Sequence, residues 1–507
     1  MIDSMKISAL LDNLSPRRVD GPPDTEITGL YHDSRQVLPG GAFFALRGAL
    51  TDGHRFIDDA LTRGASAVFM EEERPLPDGV VGVLLDDARQ AMGRVAAAFY
   101  GNPTAEIPVA GVTGTNGKTT ITYLLESILN VAGRRPAVIG TINYRFGKSQ
   151  IPAPHTTPES TDLFRTIADF RRRGAGALVM EVSSHALDQH RVEEVRFSVG
   201  IFTNLTPEHL DYHQDMEGYF ATKRRLLTDL LESAGGRAVI NIDDEYGRRI
   251  ASELPGSLTC GRDEKARVRP LEMTVSLKGI EGMVDTPVGS FHLKSPLLGT
   301  FNLQNLLCAA GAAVAMDSPL EVISEGLAGA PQVPGRMERI ENDRDALILV
   351  DYAHTGDALV KVLSTLQDLS PRRIVTVFGC GGDRDRGKRP VMGEVAARFS
   401  DLTVLTSDNP RTEEPLSILE EIRMGVQRVC TREWTREEAL AGEGKGFVII
   451  PDRREAISFA VEALHPGELL LVAGKGHEDY QIIGRERRHF DDREELRRAL
   501  TRGERKI

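Results

Sequence analysis

The chain has 507 residues, a length that predicts about three domains of roughly 100–200 residues each. Hydrophobic residues make up 41% of it and charged residues 27%, which excludes disordered, collagen-like and disulfide-scaffold proteins. The net charge of −12 argues against a nucleic-acid groove, because binding a phosphate backbone needs a concentrated basic surface.

No segment of the sequence predicts a membrane span or an export signal. The longest apolar run, Leu306 to Met316, is shorter than the ~20 residues that a spanning helix needs. Asp3 and Ser4 stand where a signal peptide has basic and apolar residues. The four cysteines have no paired C-x-x-C spacing, so we expect neither a disulfide framework nor a zinc site. We therefore expect a cytoplasmic protein without a membrane partner.

Short apolar runs alternate with helical patterns along the chain, which predicts an α/β fold with buried parallel sheets. The runs begin near Ile107, Ala177, Val199, Ala238, Ala346, Arg373, Leu402 and Glu468. Polar residues and glycines collect where these strands end, and ligands bind at such carboxyl ends in open α/β sheets. Most residues of this kind only serve turns and helix caps, so a single strand end would carry little weight.

Two breaks in the pattern divide the chain into three predicted domains. The segment from Tyr100 to Thr104 ends one helical stretch before a new strand, and Ala330 to Arg336 contains two prolines and a glycine. We place the domains at residues 1–104, 105–334 and 335–507.

A glycine-rich segment, Gly111-Val-Thr-Gly-Thr-Asn-Gly-Lys-Thr-Thr120, follows a strand and opens a helix. Its glycines allow the backbone N–H groups and the helix N-terminus to face phosphates. Lys118 would reach the outer phosphates, and the Thr119 hydroxyl would bind magnesium. The first glycine of the usual phosphate-loop pattern is replaced by Val112. A chance glycine-rich turn is the alternative, and Gly-Lys-Thr-Thr between strand and helix favours a nucleotide site.

Two neighbouring strand ends could complete a magnesium–ATP centre. Ala177-Leu-Val-Met ends in Glu181, a carboxylate that could instead cap the next helix. The segment from Thr203 to His213 gathers further oxygen and nitrogen donors. A single histidine is more often packed or solvated than bound to a metal, but three polar clusters on adjacent strands favour His209 as a ligand.

These segments, together with later ones, resemble the Mur ligases of peptidoglycan synthesis. The resemblance continues through Tyr-Phe-Ala-Thr-Lys223, Gly-Arg336-Met-Glu and Asp351-Tyr-Ala-His, and then through Gly-Cys-Gly-Gly-Asp-Arg384-Asp, Asp-Asn-Pro-Arg411 and Gly474-Lys-Gly-His-Glu-Asp-Tyr. The motifs span nearly the whole chain. The resemblance implies an N-terminal UDP-binding α/β domain, a central domain with a P-loop ATPase-like parallel sheet and a C-terminal Rossmann-like domain.

The resemblance also implies an activity, which is ADP-forming amide synthesis with ATP and Mg²⁺. It is greatest to family members that join meso-diaminopimelate to the D-Glu γ-carboxylate of UDP-N-acetylmuramoyl-L-Ala-D-Glu through an acyl phosphate. A self-contained three-domain site suits a monomer. Other hypotheses are a sibling ligase that adds lysine or extends folate, a nucleotide-dependent switch, and a UDP-sugar transferase that would leave the phosphate loop unexplained.

Matching the motifs residue by residue assigns the nucleotide and metal contacts. The resemblance implies that Lys223 is carbamylated and that Lys118, Glu181, His209 and Lys223 are catalytic. Magnesium would be held by Thr119, Glu181, His209 and carbamylated Lys223. The ATP contacts would be Gly114, Thr115, Asn116, Gly117, Lys118, Thr119, Thr120, Asn302, Asn305, Arg336, Asp351 and His354.

The two other substrates are assigned in the same way. The UDP-muramoyl-dipeptide contacts would be Ser34, Thr156, Thr157, Ser183 and Arg191, and the diaminopimelate contacts Arg384, Asp408, Asn409, Pro410, Arg411, Gly474 and Glu478. A guanidinium matches the second carboxylate of diaminopimelate with two parallel hydrogen bonds, which lysine cannot do. Arg411 could instead be a solvated loop cation before Glu413 and Glu414.

One position departs from the family pattern, and two segments carry no functional assignment. Gly356 stands where family members commonly have proline, and losing a residue that fixes φ would loosen the loop. Leu271 to Lys294 is expected to add strands and turns to the central domain. Arg485 to Ile507 alternates charges at helical spacing and is expected to form a solvated terminal helix.

Overall fold

The computed structural model describes residues 4–12, 14–48, 51–441 and 444–503. The chain folds into two compact units. The first comprises residues up to Glu272, Gly282–Leu293 and Gln304–Ala330, and the second comprises Met273–Glu281, Lys294–Leu303 and the chain from Pro331 onward. Within the described ranges, no helix is both long enough and apolar enough to cross a membrane.

The N-terminal part of the first unit contains a five-stranded sheet. Its strands run in the order β2-β7-β6-β5-β4, with β4 to β7 parallel and β2 antiparallel. Stacked rings of Phe44 and Phe69, with centroids 4.3 Å apart, fill part of its core. The elements are β1 (Met5–Lys6), α1 (Ile7–Leu11), β2 (Arg18–Asp20), β3 (Glu26–Ile27), β4 (Leu30–Tyr31), β5 (Ala42–Phe44), α2 (Ile57–Thr62), β6 (Ala67–Met70), β7 (Val81–Leu84) and α3 (Ala88–Phe99).

An eight-stranded sheet follows in the order β11-β10-β9-β12-β8-β13-β14-β15, and only β10 runs opposite to the other strands. Its elements are β8 (Val109–Thr113), α4 (Lys118–Val131), β9 (Pro136–Ile139), β10 (Asn143–Phe146), β11 (Ser149–Pro152), α5 (Ser160–Arg172), β12 (Ala177–Glu181), α6 (Ser184–Asp188), β13 (Val199–Phe202), α7 (Leu210–His213), α8 (Met216–Arg225), α9 (Leu231–Ala234), β14 (Arg237–Asn241), α10 (Glu245–Glu253) and β15 (Leu258–Cys260). A π-helical turn, Leu226–Leu230, joins α8 to α9.

The three polar segments predicted around the nucleotide do end adjacent strands. β8 lies between β12 and β13, with Val112 opposite Glu181 on one side and Ile201 on the other. β8, β12 and β13 are buried along their whole length. Their carboxyl ends therefore meet at one sheet edge, as expected.

The segment with no assigned function forms a three-stranded sheet in the order β16-β17-β18. These strands are β16 (Arg269–Ser276), β17 (Gly279–Thr286) and β18 (Gly289–Ser295), followed by α11 (Thr300–Ala315) and α12 (Leu320–Ala328). The expectation of strands and turns between Leu271 and Lys294 is confirmed.

The second unit contains a six-stranded sheet in the order β19-β20-β24-β21-β22-β23, parallel except for β19. Helices alternate with its strands, as in a Rossmann-like fold. The elements are β19 (Glu338–Arg339), β20 (Leu347–Asp351), α13 (Gly356–Asp368), β21 (Ile374–Phe378), α14 (Lys388–Phe399), β22 (Leu402–Leu405), α15 (Pro415–Val426), α16 (Arg436–Ala441), β23 (Gly446–Ile449), α17 (Arg453–Glu462), β24 (Leu469–Ala473), β25 (Tyr480–Ile483), β26 (Glu486–His489) and α18 (Asp492–Gly503).

The expected terminal helix is present, but the expectations that it starts near Arg485 and is solvated are wrong. The helix begins only at Asp492, after the hairpin of β25 and β26. Leu496 and Leu500 are buried in the core, and Asp492 is fully buried against Arg453, with an N–O distance of 2.7 Å. The helix packs because its few apolar residues share one face, which the charge alternation concealed.

Candidate active site

The loop predicted to bind phosphate, residues 114–117, connects β8 to α4, and two glycines determine its path. Gly114 has φ +136° and Gly117 has φ +90°, both in the region that favours glycine. A Cβ at Gly114 would lie 1.9 Å from Thr203 Oγ1, and one at Gly117 would lie 2.3 Å from Asn305 Oδ1. Larger residues would therefore both strain this backbone and displace its neighbours.

The end of β13 holds the loop in place. The Asn116 amide donates to Asn204 Oδ1 (3.0 Å), and its carbonyl accepts from Thr203 Oγ1 (2.6 Å) and Asn204 Nδ2 (3.2 Å). The Thr115 amide donates to the Asn204 carbonyl (2.8 Å). Part of the predicted polar cluster after β13 thus shapes the loop.

Two lysines meet at the carbonyl of Gly114. Lys118 Nζ and Lys223 Nζ each donate to this oxygen at 2.8 Å, and Lys118 also donates to the Thr115 carbonyl at 2.8 Å. Lys223 comes from the last turn of α8, 109 residues along the chain from Gly114. The structure therefore brings the lysine predicted to be carbamylated directly against the phosphate loop.

Lys223 is almost completely buried, with 2% of its surface exposed. Burial, followed by the nearby charge of Lys118, holds the pKa of its ammonium well below the usual range. The ring of Tyr219 lies 4.7 Å from its Nζ. A buried amine of this kind loses its proton readily and becomes available for reaction with an electrophile.

Glu181 ends β12 with its carboxylate buried beside the loop. It accepts hydrogen bonds from Thr119 Oγ1 (3.1 Å), Thr141 Oγ1 (2.9 Å) and the Thr141 amide (2.8 Å). A Cβ at Gly140 would lie 2.5 Å from its Oε1. Thr141 Oγ1 also lies 3.1 Å from Thr156 Oγ1. This connects the predicted metal carboxylate to a predicted substrate contact.

These residues fit a magnesium ion by their chemistry. Thr119 and Glu181 present a hydroxyl and a carboxylate 3.1 Å apart, and Mg²⁺ prefers oxygen ligands. In the described ranges, no three His, Cys, Asp or Glu side chains form a metal-binding group. A metal centre here would therefore also draw on hydroxyl oxygen and on a modified lysine.

His209 lies near this region but outside the hydrogen-bonded network described above. Its backbone has φ +56°, and 46% of its side chain is exposed. Its ring packs edge-on against His185, with centroids 5.0 Å apart, and its Nε2 lies 3.9 Å from Glu208. Its role as a metal ligand stays a prediction.

Four of the residues assigned to the muramoyl dipeptide lie together, and these are Thr156, Thr157, Ser183 and Arg191. Thr157 Oγ1 donates to the Glu181 carbonyl (2.9 Å), and the Ser183 amide donates to Thr157 Oγ1 (3.1 Å). Arg191 donates to the Thr157 carbonyl at 2.8 Å. With Thr156, this cluster borders the carboxylate of Glu181, on the same side of the sheet edge as the phosphate loop.

Ser34 lies in the N-terminal part of the first unit, where it is buried and begins a 3₁₀ turn, Ser34–Gln36. Asp33 caps this turn by accepting from the Arg35 amide at 3.0 Å. The preceding His32 has its Nδ1 2.9 Å from Thr161 Oγ1, near the start of α5. The segment that contains Ser34 thus contacts the helix that follows Thr156 and Thr157.

Asn302 and Asn305 lie nearly one turn apart on α11, and both are buried. Asn305 abuts Gly117 of the phosphate loop, because its Oδ1 lies 2.3 Å from the point that a Cβ on this glycine would occupy. Asn302 Nδ2 donates to the Leu298 carbonyl at 2.9 Å. Of the two, the contacts of Asn305 place it beside the predicted nucleotide site.

In the second unit, Arg336, Asp351 and His354 surround Tyr352. The guanidinium of Arg336 lies 4.8 Å from the Tyr352 ring centroid, and the His354 ring lies 4.6 Å from it. Asp351 accepts from the Met337 and Ala353 amides, both at 2.7 Å. Burial raises the pKa of Asp351 above its usual range, although the charge of Arg336 opposes this.

Two loops carry the residues assigned to diaminopimelate. Gly382 N donates to the Asn409 carbonyl (2.9 Å), and a Cβ at Gly382 would lie 1.9 Å from the Pro410 carbonyl oxygen. Arg411 has φ +52° and donates from its guanidinium to the Gly382 carbonyl at 2.7 Å. Arg384 is exposed on the first loop. The loops therefore lie side by side.

Buried charges lie beneath these loops. Burial would raise the pKa of Asp408, but Lys475 and Arg453 hold it below the usual range. Glu478 accepts from Asn409 Nδ2 at 3.2 Å. Gly474, with φ +112°, donates its amide to the Asp351 carbonyl at 3.0 Å.

Sequence reasoning missed three residues that hold these sites together. Thr141 bonds Glu181 across 40 residues of sequence, and no local pattern indicates such a contact. Fully buried Arg389 bonds Glu413 and the Gly381 carbonyl, which ties the two diaminopimelate loops together. Lys475 lies inside the motif that begins at Gly474, so its position was a signal that could have been used.

A cavity of about 480 Å³ is lined by residues such as Tyr31, Tyr100, Arg165 and Arg172, and by none of the site residues described above. The candidate sites are therefore marked by hydrogen bonds and buried charges, and this cavity is not one of them.

Comparison with known proteins gives matches along most of the chain. Models described as the Mur ligase family catalytic domain, the Mur ligase middle domain and the Mur ligase glutamate ligase domain match residues 26–100, 112–313 and 335–476.

Individual relatives match over nearly the full length. A UDP-N-acetylmuramoyl-L-alanyl-D-glutamate–2,6-diaminopimelate ligase from Geobacter metallireducens is 54% identical over 502 residues, covering 98% of both chains. The protein of the same name from Geobacter sulfurreducens is 52% identical, covering 97% of this chain and 98% of its own. A solved structure with that name is 32% identical, covers 99% of both chains and has a TM-score of 0.70. The chain belongs to the Mur ligase family.

Proposed function

We propose that this chain is an ATP-dependent ligase of peptidoglycan synthesis. It joins meso-diaminopimelate to the D-Glu γ-carboxylate of UDP-N-acetylmuramoyl-L-Ala-D-Glu and releases ADP and phosphate. The observation that carries the proposal is the full-length similarity to a relative of this name at 54% identity. The phosphate loop with its buried carboxylate, and the loops around Arg411, supply the chemistry that the reaction needs.

The first step transfers the γ-phosphoryl group of ATP to the substrate carboxylate and forms an acyl phosphate. Two anions must approach one another, so neutralising their charge is the main requirement. The N-terminus of α4, which follows Gly117, and the ammonium of Lys118 would supply that charge. Lys118 donates to the carbonyls of Gly114 and Thr115, and it would exchange these acceptors for phosphate oxygens.

Magnesium would be held by Thr119, Glu181, His209 and carbamylated Lys223. When bound, it would neutralise phosphate charge and orient the oxygens of the transferring group. Glu181 is preset for this role because the amide and hydroxyl of Thr141 fix its carboxylate.

Carbamylation of Lys223 fits its surroundings. The uncharged amine adds to the carbon of CO₂ and loses one proton, which leaves a carboxylate-like carbamate. Only the deprotonated amine reacts, and the lowered pKa of Lys223 favours that form. The cation then becomes an anion, which can bind metal instead of repelling it.

The amine of diaminopimelate would attack the acyl phosphate, and phosphate would leave. At the other end of this substrate, Arg411 would bind the carboxylate and Glu478 the ammonium. Arg384, Asp408, Asn409, Pro410 and Gly474 would complete the pocket.

We also propose the domain division at residues 104 and 334, because each resulting segment contains its own main sheet. The N-terminal segment would bind the UDP group, with Ser34 as a contact, and Thr156, Thr157, Ser183 and Arg191 would bind the dipeptide. The protein would act as a monomer, because a three-domain chain of this kind holds a self-contained site. It would act in the cytoplasm, because ATP and UDP-linked sugars are held there.

The test is phosphate release from ATP and Mg²⁺ with UDP-N-acetylmuramoyl-L-Ala-D-Glu, adding either meso-diaminopimelate or L-lysine. Release should require diaminopimelate and be scarcely supported by lysine.

Arg411→Met should raise the KM for diaminopimelate by about 10- to 100-fold, because charged hydrogen bonds are lost. Arg428→Met, at an exposed site paired with Glu394, is the matched control and should leave this KM unchanged.

Each contrary result has a distinct meaning. A preference for lysine would keep the ligase but overturn the role of Arg411. Phosphate release that is indifferent to either amine would overturn the ligase and leave an ATPase or a nucleotide switch.

A further inference from the structure

Lys475 is a buried lysine that the functional assignment above does not use. It follows Gly474 after β24, and its side chain is completely buried. Its Nζ lies 3.1 Å from Asp408 Oδ1 and donates to Asn409 Oδ1 at 3.2 Å and to the Tyr480 carbonyl at 2.7 Å. A buried ammonium is costly unless its surroundings compensate the charge, and these partners do so.

The charges around Lys475 are unequal. Its ammonium faces two carboxylates, Asp408 at 3.1 Å and Glu478 at 3.9 Å. The next buried cation, Arg453, is already paired with Asp492 through two hydrogen bonds of 2.7 Å. Within the group of Lys475, Asp408 and Glu478, one negative charge therefore remains. This surplus charge suits a substrate ammonium.

Lys475 and the Ile482 amide together determine which way the Asn409 amide points. Asn409 Oδ1 accepts from Lys475 Nζ and from the Ile482 amide at 2.9 Å. Both partners are donors, so the oxygen must face them and the NH₂ group must face away. That NH₂ group donates to Glu478 Oε2 at 3.2 Å. The lysine thus orients the Glu478 carboxylate through Asn409.

We propose that Lys475 is a positioning residue for the amino-acid substrate, which orients Asn409 and Glu478 and leaves one carboxylate charge for the distal ammonium of diaminopimelate. The proposal rests on the function proposed above. Lys475 itself is buried beneath the two carboxylates, so it acts through them and not by touching the substrate.

The protonation of Glu478 gives this role a measurable signature. Burial and the charge of Asp408 raise the pKa of Glu478, while Lys475 and the hydrogen bonds from Asn409 and Tyr480 lower it. Tyr352 and Arg453 also interact electrostatically with Glu478. Removing Lys475 would therefore raise the pKa further, so that Glu478 would be ionised only at higher pH.

The experiment uses the full-length enzyme and two acceptors for the acyl phosphate. Meso-diaminopimelate reports the amino-acid site. Hydroxylamine attacks acyl phosphates directly, forming a hydroxamate and releasing phosphate, and needs no amino-acid site. Lys475→Met removes the charge, and Lys475→Arg keeps it. Lys445→Met is the matched control, because Lys445 bonds only the carbonyls of Ala397 and Arg398 among the partners described.

Lys475→Met should raise the KM for diaminopimelate at least about 30-fold, since one partner of a buried charged cluster is lost. Its kcat/KM should reach its maximum at a higher pH than that of the wild type, because the pKa of Glu478 would rise further. Hydroxamate formation should stay within about 3-fold of the wild type, as should all the values for Lys445→Met. Lys475→Arg should keep the wild-type pH profile.

Other outcomes would overturn the inference. An unchanged KM in Lys475→Met would show that the charge is not needed. If Lys475→Met does not fold, Lys475→Arg decides the question. If Lys475→Arg folds like the wild type but loses activity equally with diaminopimelate and with hydroxylamine, the role of Lys475 is only structural. Absence of hydroxamate in the wild type would instead contradict the proposed function itself.

Discussion

The oxygen of Gly114 accepts from two ammonium groups, and this single atom links the phosphate loop to α8. Lys223 reaches it from an almost completely buried position. As an unmodified ammonium it would add positive charge next to Lys118. As a carbamate it would add negative charge and oxygen ligands. Under the proposed function, carbamylation of this one nitrogen would favour binding of a metal ion in the pocket.

We predict that Lys223→Gln lowers kcat by ~10²–10³, the usual effect of removing one preorganised electrostatic group. Its overall fold should persist, because glutamine is shorter and uncharged. The measurement is steady-state phosphate release, with thermal unfolding as the check on folding. The same replacement at exposed Lys445 should leave kcat unchanged. Wild-type kcat in Lys223→Gln would contradict both the carbamate and its role.

For single residues, the sequence predicts which side chains have suitable chemistry better than it predicts which side chains they contact. Thr119 and Glu181 follow from the strand-loop-helix pattern and from a carboxylate at a neighbouring strand end, and the structure brings them within 3.1 Å. Thr141 and Arg389 could not be assigned so readily, because their roles depend on side chains 40 and 24 residues away. Long-range pairs of this kind leave no periodic trace in one sequence.

Among the elements, α13 begins with the residue that departs from the family pattern. Gly356 is its first residue, and Thr355 caps the helix by accepting from the Ala358 amide at 3.3 Å. Proline is favoured at a first helical position, where its missing N–H is not needed. Thr355 has φ −127° and ψ 159°, the extended conformation that a residue before proline adopts.

We therefore predict that Gly356→Pro stabilises the protein by about 0.4–1 kcal/mol, mainly by restricting the unfolded chain. The added carbons meet Val391 Cγ1, which a Cβ would approach to 2.8 Å, but this side chain is 48% exposed and can move. Urea unfolding of Gly356→Pro and the wild type measures the difference. Gly356→Ala adds the same Cβ without fixing φ, so it isolates the cost of the Val391 contact.

A destabilised Gly356→Pro with an unaffected Gly356→Ala would show that the native backbone at this position cannot accept proline. In that case glycine would be required by the local conformation and not merely tolerated.

The terminal helix α18 is an element whose burial was predicted wrongly from the sequence. Charges alternate from Arg485 onward, which is typical of a solvated helix. The structure instead buries Leu496, Leu500 and Asp492 of α18. The partner of Asp492 is Arg453, 39 residues earlier. A buried ion pair looks like two surface residues in a sequence, so composition alone assigns it to solvent.

At the scale of the whole molecule, the order of the strands could not be derived from one sequence, although the alternation of strands and helices could. The central sheet places β8 between β12 and β13, which are later in the chain. This crossover brings the three predicted polar segments to one edge. The α/β class and the positions of the strand ends were predictable. Which strands lie next to one another was not, because it depends on packing between distant segments.

We predict that the stability of the folded chain decreases as the pH falls below 6.5. Burial, with the charges of Arg336 and Arg493, lowers the pKa of His477 from 6.5 to about 4. The unfolded chain therefore binds a proton between these values that the folded chain does not. The stabilising contribution is complete above pH 6.5 and is lost progressively toward pH 4.

The free energy of unfolding in urea between about pH 4 and 7 measures this effect. His477→Gln should remove about one proton from the slope against pH. His465→Gln, at an exposed histidine, should leave the slope close to that of the wild type. An unchanged slope in His477→Gln would contradict the assignment of this titration to His477.

The hydrogen bonds that Thr203 and Asn204 make to Asn116 have a consequence for ligand affinity. A flexible loop must lose backbone conformational entropy when it closes around phosphate, and that loss weakens binding. Here hydrogen bonds within the protein fix both the amide and the carbonyl of Asn116. The entropic cost of ordering this residue therefore belongs to folding, so phosphate binding does not have to offset it.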